Sequence, residues 1–485
     1  MIVMKFGGTS VEDADAIRRV AKIVRGRLDQ RPVVVVSAMA KVTDSLLAAS
    51  QTAASGALHT ANKLLRQLRQ RHLSTLAELV KESEAAPFHD ALTALFDNVA
   101  DFLRSVAALG ELSGRSVDNI VSTGELLSTQ IVTAALVAEG MPALAIDSRR
   151  CVVTDSNFTR ALPLFDKSNA ALRRHLKPLV ADGRVPIMGG FIGSTADGIP
   201  TTLGRGGSDY SAAIVGAALR ARRIEIWTDV DGMMTTDPRA CPQARKIDVI
   251  GFDEAAELAY FGAKVLHPAT LVPAIEKNIP VYVLNSRNPK GNGTCIRAHA
   301  KRSRHLFRAI AFKMGATVIN VKSPRMLMAH GFLRALFETL DHHALAPDLI
   351  STSEVSVSLT LDSSRDLSSL VKDLQGLGSV EVESQKAIVC LVGEDIKGRV
   401  GIAASVFRVV ADAGINTHMI SQGASEINIS FVVDDGDALI AVRELHRHFF
   451  ENDVLDRNQG DGGERQPRAN TRFVQSPAEC NPAVA

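Results

Sequence analysis

The sequence predicts an α/β fold, a mostly parallel sheet sandwiched between helices, followed by a smaller α+β pair. Three observations carry this: strand and helix signals alternate over the first 290 residues, glycine-rich corners stand next to strand-like runs, and an internal repeat fills the C-terminal part. Strands that alternate with helices need helical crossovers, which set neighbouring strands parallel and cover both faces of their sheet.

Residues 2–6 read as a buried strand ending at the Gly7-Gly8 turn. Ser10 can cap the next helix, with Asp13 three residues on as an imperfect capping box. In that helix Ile17, Val20, Ala21, Val24 and Leu28 recur at helical spacing. The four valines at 33–36 suit a strand covered on both faces. Further short strands are expected at 143–146, 186–188, 223–228 and 280–284. Between about 58 and 116 the pattern changes to long amphipathic helices, with Leu65, Leu68, Leu92 and Phe96 on their apolar faces. This is an inserted lid or packing layer.

A seam near 286–304 ends a first unit, residues 1–290, and a second unit occupies 306–455. There Gly331-Phe332-Leu333-Arg334-Ala335-Leu336-Phe337 returns seventy positions on as Gly401-Ile402-Ala403-Ala404-Ser405-Val406-Phe407. Asp348-Leu349-Ile350-Ser351 returns as His418-Met419-Ile420-Ser421. After a two-residue slip, Glu354-Val355-Ser356 matches Glu426-Ile427-Asn428. Each copy reads as helix, strand, turn and alternating strand, one face packed and one wet. The copies can be sequential or interleaved. Residues 457–485 are polar and read as disordered.

Bulk composition narrows the function. A chain of 485 residues implies two or three domains. The 55 basic and 53 acidic residues, net +2, lack the basic excess on which binding to nucleic acid or a membrane surface rests. Five scattered cysteines without a CxxC pair fit a reducing cytosol, and no metal cluster is expected. The N-terminal apolar run is too short for a signal peptide, and no run approaches a membrane span. The expectation is a cytoplasmic, multidomain protein.

Four segments bear chemistry. Lys5-Phe6-Gly7-Gly8-Thr9-Ser10 ends a strand in a lysine and opens a turn whose backbone N–H groups can face an anion. The loop Thr201-Thr202-Leu203-Gly204-Arg205-Gly206-Gly207-Ser208-Asp209 precedes a helix expected at 210–220, where Ser208 or Asp209 can cap, and Arg205 offers a planar fork for a carboxylate. Trp227-Thr228-Asp229-Val230-Asp231-Gly232 begins where a strand ends, the place where open α/β sheets bind ligands. Phe261-Gly262-Ala263-Lys264-Val265-Leu266-His267-Pro268 joins two helices, with His267 structural rather than a base. Taken singly, each has a plain alternative: a tight turn, a flexible loop, a surface cap, a solvated lysine. No GxxxxGK[ST] loop and no protein-kinase HRD or DFG set is present, so the phosphate machinery is of another kind.

Together with Ser122-Thr123-Gly124-Glu125, these segments resemble, in order and spacing, the amino acid kinase superfamily and within it the aspartate kinases. The resemblance covers about residues 1 to 450, including a tandem ACT-type repeat. Phe332-Leu333 and Ser351-Thr352-Ser353-Glu354-Val355-Ser356 look like the single-function, lysine-inhibited branch. It implies transfer of the ATP γ-phosphate to the side-chain carboxylate of L-aspartate, with Mg²⁺, as the first step of lysine, threonine and methionine biosynthesis. It also implies feedback inhibition by an amino acid, lysine first, in a homodimer or dimer of dimers.

Roles carried over from the resemblance are these. Lys5 contacts the transferring phosphate, with Gly7 and Gly8 as backbone donors. Ser37 and Thr43 form part of the aspartate pocket, Glu125 holds the substrate ammonium and Arg205 its α-carboxylate. Ser208 and Asp209 organise the reacting groups and magnesium. Thr228, Asp229, Arg239, Lys264 and Val265 meet the nucleotide, and Met234 stands where relatives have a Tyr. Asp348 meets the inhibitor's side-chain amine, while Met326, Ala329, Ser353, Glu354 and Val355 line the rest of a site between ACT units of two subunits. The chemistry agrees: a carboxylate with an unperturbed pKa of about 3.9 is already an ionised nucleophile at neutral pH. The rival readings are the same fold with another acceptor (glutamate, acetylglutamate, carbamate or UMP) and a non-catalytic amino-acid sensor.

Overall fold

The computed structural model describes residues 1–261, 271–298, 300, 306–326, 330–362, 366–394, 396, 399–423 and 427–451. Lys264, Val265, His267, Ala329 and the expected disordered tail at 457–485 lie outside the described residues.

The chain opens with β1 (Ile2–Phe6), α1 (Ala14–Arg25) and β2 (Pro32–Val36). The α1 cap is Asp13, whose carboxylate accepts from the Ala16 N–H at 2.8 Å, and not Ser10 as the sequence suggested. Ser10 lies inside a 3-10 turn that delays the helix, and its hydroxyl donates to Ser286 Oγ at 2.8 Å. Five helices follow: α2 (Val42–Ala54), α3 (Leu58–Leu79), α4 (Glu82–Leu109), α5 (Gly114–Val121) and α6 (Thr123–Ala138). The inserted pair α3–α4 buries Leu65, Leu68, Leu92 and Phe96 in the same core as α1, α2 and α6, so it is a packing layer. The stretch Gly114–Ala138 is apolar and long enough by composition to cross a membrane, contrary to expectation, but 89 % of its most apolar window is buried inside the fold.

Next come β3 (Ala143–Ile146), β4 (Val153–Thr154), α7 (Phe165–Ala181), β5 (Val185–Gly189), β6 (Ile192–Thr195), β7 (Pro200–Thr202), α8 (Gly207–Leu219) and β8 (Ile224–Thr228). The unit closes with β9 (Val249–Gly251), α9 (Phe252–Phe261), α10 (Val272–Glu276), β10 (Val281–Asn285) and β11 (Thr294–Arg297), seven residues past the expected boundary at 290. The main sheet has the order β3-β5-β2-β1-β8-β10-β11-β9, parallel from β3 through β10. Alternate residues explain its two covers. Ile2, Met4, Phe6, Val34 and Val36 pack against α1–α6, whereas Val3, Val33 and Val35 pack in the core of α7, α8 and α10. Early crossovers run from β1 to one side and later ones return on the other, so the sheet has a switch point at β1, where a crevice opens beyond the strand ends.

The second unit is β12 (Ala309–Lys322), α11 (Phe332–His342), β13 (Ile350–Thr352), β14 (Ser356–Asp362), α12 (Ser368–Leu374), β15 (Ser379–Val392), α13 (Ile402–Asp412), β16 (Met419–Ser421), β17 (Asn428–Asp434) and α14 (Asp435–His446). Its strands form one sheet, β13-β14-β12-β15-β17-β16. The copies are interleaved. Ile310, from the first half of β12, packs with α13 and α14, while Ile319 and Val321 from its second half pack with α11 and α12. β17 departs from the expected alternation: it is buried without a break from Ile429 to Val433, and Val432 on its second face joins the same core as Ala255, Leu258 and Phe261 of α9.

Candidate active site

A cavity of about 410 Å³ opens at the carboxyl ends of β1, β2 and β5 and the start of α8, a volume in the range of small-molecule sites. The segments carrying Lys5, Ser37, Thr43, Glu125 and Arg205, far apart in sequence, meet there together with Ser208 and Asp209. The corners around residues 5 and 205 therefore share one cleft.

Lys5 is buried, and its ammonium lies 2.7 Å from Asp209 Oδ1, as a charge contact without hydrogen-bond alignment. Gly7 is not the backbone donor that was expected. Its N–H is spent on the Trp227 carbonyl at 3.0 Å, which leaves Gly8, at the cavity wall, as the donor candidate of the pair. The cap of α8 also differs from expectation. Gly206, left-handed at φ 72°, holds the N-cap position without a side-chain bond, and the helix starts at Gly207. Asp209 is thereby freed from capping to face Lys5.

Glu125, on the first turn of α6, is 3 % exposed. Its Oε1 accepts from the Ala38 N–H at 3.2 Å, while Oε2 is buried with no partner among the described residues. Burial lifts its pKa to about 8, the Ala38 bond opposing only in part. An orphaned carboxylate oxygen at a cavity wall fits a ligand cation, since a buried charge persists only when paired. Arg205 is exposed at the rim and makes no ion pair among the described residues. Asp118 anchors the start of its loop, accepting from the Thr202 hydroxyl at 2.6 Å and from the Thr202 and Thr159 N–H groups.

Three contributors escaped the sequence reading. Lys41 and Phe191 line the cavity in left-handed backbone conformations, φ 68° and 65°, of the kind that functional loops hold under strain. Arg71, on α3, donates to the Ala40 carbonyl at 2.9 Å and the Glu12 carbonyl at 2.7 Å, bracing the loop that carries Ser37. No motif signals any of the three. Gly190 allows a close approach: a Cβ there would stand 2.7 Å from Ser208 Cα.

Of the expected nucleotide residues, Thr228 and Asp229 lie at the neighbouring strand end and Met234 and Arg239 on the loop that follows, outside the cavity lining. β8 pairs with β1 in the register Phe6↔Trp227, which sets Thr228 and Asp229 beside the Gly7-Gly8 turn. Thr228 donates to Asp229 Oδ1 at 3.1 Å. Met234 is half-buried, and Arg239 is solvent-facing and engaged with Asp237 at 2.7 Å. Next to Met234, the Thr235 hydroxyl is 2.9 Å from His446 Nε2, whose Nδ1 lies 2.7 Å from Glu451. Cys241, His446 and Glu451 come within 4.8 Å of one another, a grouping that cysteine spacing did not suggest. With both imidazole nitrogens engaged, it reads as a clasp joining this loop to α14.

The expected regulatory residues divide. Met326, Ser353, Glu354 and Val355 gather at the β13–β14 turn, where the Ser323 N–H donates to the Val355 carbonyl at 2.8 Å. Asp348 precedes the other end of β13, roughly 16 Å away at the usual strand rise. Its carboxylate is bonded by the Lys313 ammonium at 2.9 and 2.7 Å.

Known proteins share this architecture. A sequence model of the amino acid kinase family matches residues 1–285, and one of the ACT domain matches residues 389–449. The lysine-sensitive aspartokinase 3 of Escherichia coli (strain K12) is 40 % identical over 461 residues, covering 93 % of this chain and 99 % of that protein. The chloroplastic aspartokinase 3 of Arabidopsis thaliana is 38 % identical over 467 residues, covering 94 % and 82 %. The crystal structure of E. coli aspartokinase III in complex with aspartate and ADP (R-state) matches with a TM-score of 0.81 at 39 % identity, over 93 % of this chain and 100 % of that one. Its complex with lysine and aspartate (T-state) matches at 0.78, with 39 % identity over 93 % and 99 %.

Proposed function

Since this chain belongs to the amino acid kinase family, and within it to the aspartokinases, we propose that it transfers the γ-phosphate of ATP to the side-chain carboxylate of L-aspartate and is inhibited by lysine. One observation supports the acceptor best: a buried, unpartnered Glu125 oxygen shares a cavity with Arg205 and Lys5. An α-amino acid with a side-chain carboxylate brings an ammonium for Glu125, an α-carboxylate for Arg205 and a second carboxylate toward Lys5.

The reacting carboxylate is ionised at neutral pH and needs no general base. One of its oxygens attacks the γ-phosphorus, the bond from that phosphorus to the β,γ-bridging oxygen breaks, ADP leaves with the electron pair, and an acyl phosphate remains. The protein's task is to position two anions and offset their repulsion. Lys5, held by Asp209, places a positive charge where they meet, and Gly8 adds a backbone N–H. Ser37, Thr43 and Ser208 line the aspartate side. Thr228, Asp229 and Met234 border the nucleotide side, with Lys264 and Val265 assigned to it by sequence. Arg239 would join them by exchanging Asp237 for phosphate. An Arg–carboxylate clamp of this kind contributes roughly 1.5–3 kcal/mol, enough for substrate choice.

Mg²⁺ fits Asp209, a hard oxygen donor beside the cavity, because this ion takes few protein ligands and completes its shell with phosphate and water. When bound, it supplies charge neutralisation at the transferring phosphate. The two halves of the regulatory set lie at opposite ends of one hairpin, which supports a homodimer in which a second copy completes the inhibitor site. The reading places the enzyme in the cytoplasm at the head of lysine, threonine and methionine biosynthesis. The test is ADP release with each acceptor in turn, titrated with lysine, threonine and methionine. Turnover with glutamate but not aspartate overturns the proposal.

A further inference from the structure

The carboxylate assigned above to the inhibitor's side-chain amine already holds an ammonium of this chain's own. Lys313 Nζ is within 2.9 Å and 2.7 Å of the two Asp348 oxygens, and the Asp348 side chain is only 10 % exposed. A ligand ammonium therefore reaches Asp348 only if Lys313 yields. Lys313 has a second acceptor for that event, since Asp362 Oδ2 is 3.9 Å from the same nitrogen. The backbone beside it is irregular: the β12–β15 register breaks between Lys313 and Ala316, and Gly315 is left-handed at φ 69°.

The second copy of the repeat displays the alternative arrangement. There His418 replaces Asp348, Asp434 stands for Asp362, and the local lysine, Lys386, lies 2.7 Å from Asp434 and 3.1 Å from His418 Nε2. Where the first carboxylate is missing, the lysine ammonium rests on the second, and on Glu383 at 3.1 Å. The fold thus accommodates both ends of an exchange.

We propose that Lys313 is an internal competitor for the regulatory ligand, holding Asp348 until the side-chain ammonium of a free diamino acid takes that place and Lys313 moves to Asp362. This rests on the reading of Asp348 as the inhibitor's carboxylate. The exchange conserves charge, so Asp348 is never left buried and unpaired, which would be strongly unfavourable. It also sets the ligand's affinity, because binding must break one good ion pair to form another. Tyr260, at the end of α9, borders the same carboxylate: its hydroxyl is pushed up to about 12 by burial first and then by the charge and hydrogen bond of Asp348. A change of partner at Asp348 is therefore felt at the C-terminal end of α9.

The test is calorimetric titration of the full chain with L-lysine, for wild type, Lys313→Met, Lys313→Arg and Asp348→Asn. Removing the competitor in Lys313→Met lowers the lysine Kd roughly tenfold, the order of one charged hydrogen bond. Lys313→Arg keeps the fold and grips Asp348 with a planar fork, so its lysine Kd rises severalfold. Asp348→Asn abolishes lysine binding. An unchanged or raised Kd in Lys313→Met, or, if that variant fails to fold, an unchanged or lowered Kd in Lys313→Arg, overturns the competitor while Asp348→Asn still loses binding. Retained lysine affinity in Asp348→Asn sinks the assignment of Asp348 and the competitor with it.

Discussion

The Lys5 ammonium lies 2.7 Å from Asp209, tying the end of the first strand to the first turn of α8. The two glycine-rich corners of the chain, some two hundred residues apart, are joined by this contact. In the proposed mechanism it pre-positions the lysine where a phosphate and a carboxylate approach each other, so no reorganisation is needed at the moment of transfer. Lys5→Ala should lower kcat by about 10²–10³-fold or more, the scale of losing one preorganised electrostatic group. Its thermal melt should stay cooperative. Near wild-type ADP release in that variant removes Lys5 from the mechanism.

With Glu125 as the proposed partner of the substrate ammonium, both stability and aspartate affinity should depend on pH. Its folded pKa of about 8 exceeds the reference value of 4.5, so the folded state holds the proton more tightly than the unfolded one. The stability this contributes is complete below pH 4.5 and is lost as pH rises through 8. Glu125→Gln removes the titration, so Tm measured from pH 5 to 9 should fall less steeply in the variant than in wild type. Binding of the substrate ammonium ionises Glu125, and aspartate titrations at pH 7 in buffers of different ionisation enthalpy should show net proton release. No release, together with parallel Tm profiles, contradicts the assignment.

Arg205→Lys keeps the charge but discards the planar fork. The aspartate KM should rise about 10- to 100-fold, from the loss of a charged hydrogen bond, with the KM for ATP changed far less. An equal rise in both would move Arg205 away from the α-carboxylate.

Gly190→Ala carries no functional group yet should depress kcat/KM for aspartate by roughly tenfold or more, because the new Cβ would stand 2.7 Å from Ser208 Cα and displace the turn that carries Ser208 and Asp209. Steady-state kinetics beside a thermal melt separate this from unfolding. An active, stable variant would show that the loop position matters little.

Much of this was legible in the sequence because it is written locally. The valines at 33–36 have no polar face to offer water, and glycines at 7, 8, 204, 206 and 207 mark backbone corners whatever surrounds them. The repeat announced the regulatory pair. What escaped is set by partners distant in the chain. Asp13, not Ser10, caps α1 because Ser10 is claimed by Ser286. The Gly7 N–H is claimed by Trp227, and the Ser37 loop is braced by Arg71 from a helix without a motif. Lys41 and Phe191 adopt glycine-like conformations that their side chains conceal from a sequence reading. The β17 alternation failed because Val432, on the expected wet face, is buried in the core shared with the first unit.

Phosphorus NMR of the full enzyme with ATP, Mg²⁺ and a single acceptor tests the central claim most directly. The account predicts an acyl phosphate resonance that grows with ADP when L-aspartate is present and is absent with L-glutamate. ATP consumed to ADP and inorganic phosphate with no acyl phosphate, or the same resonance formed equally with glutamate, would contradict it.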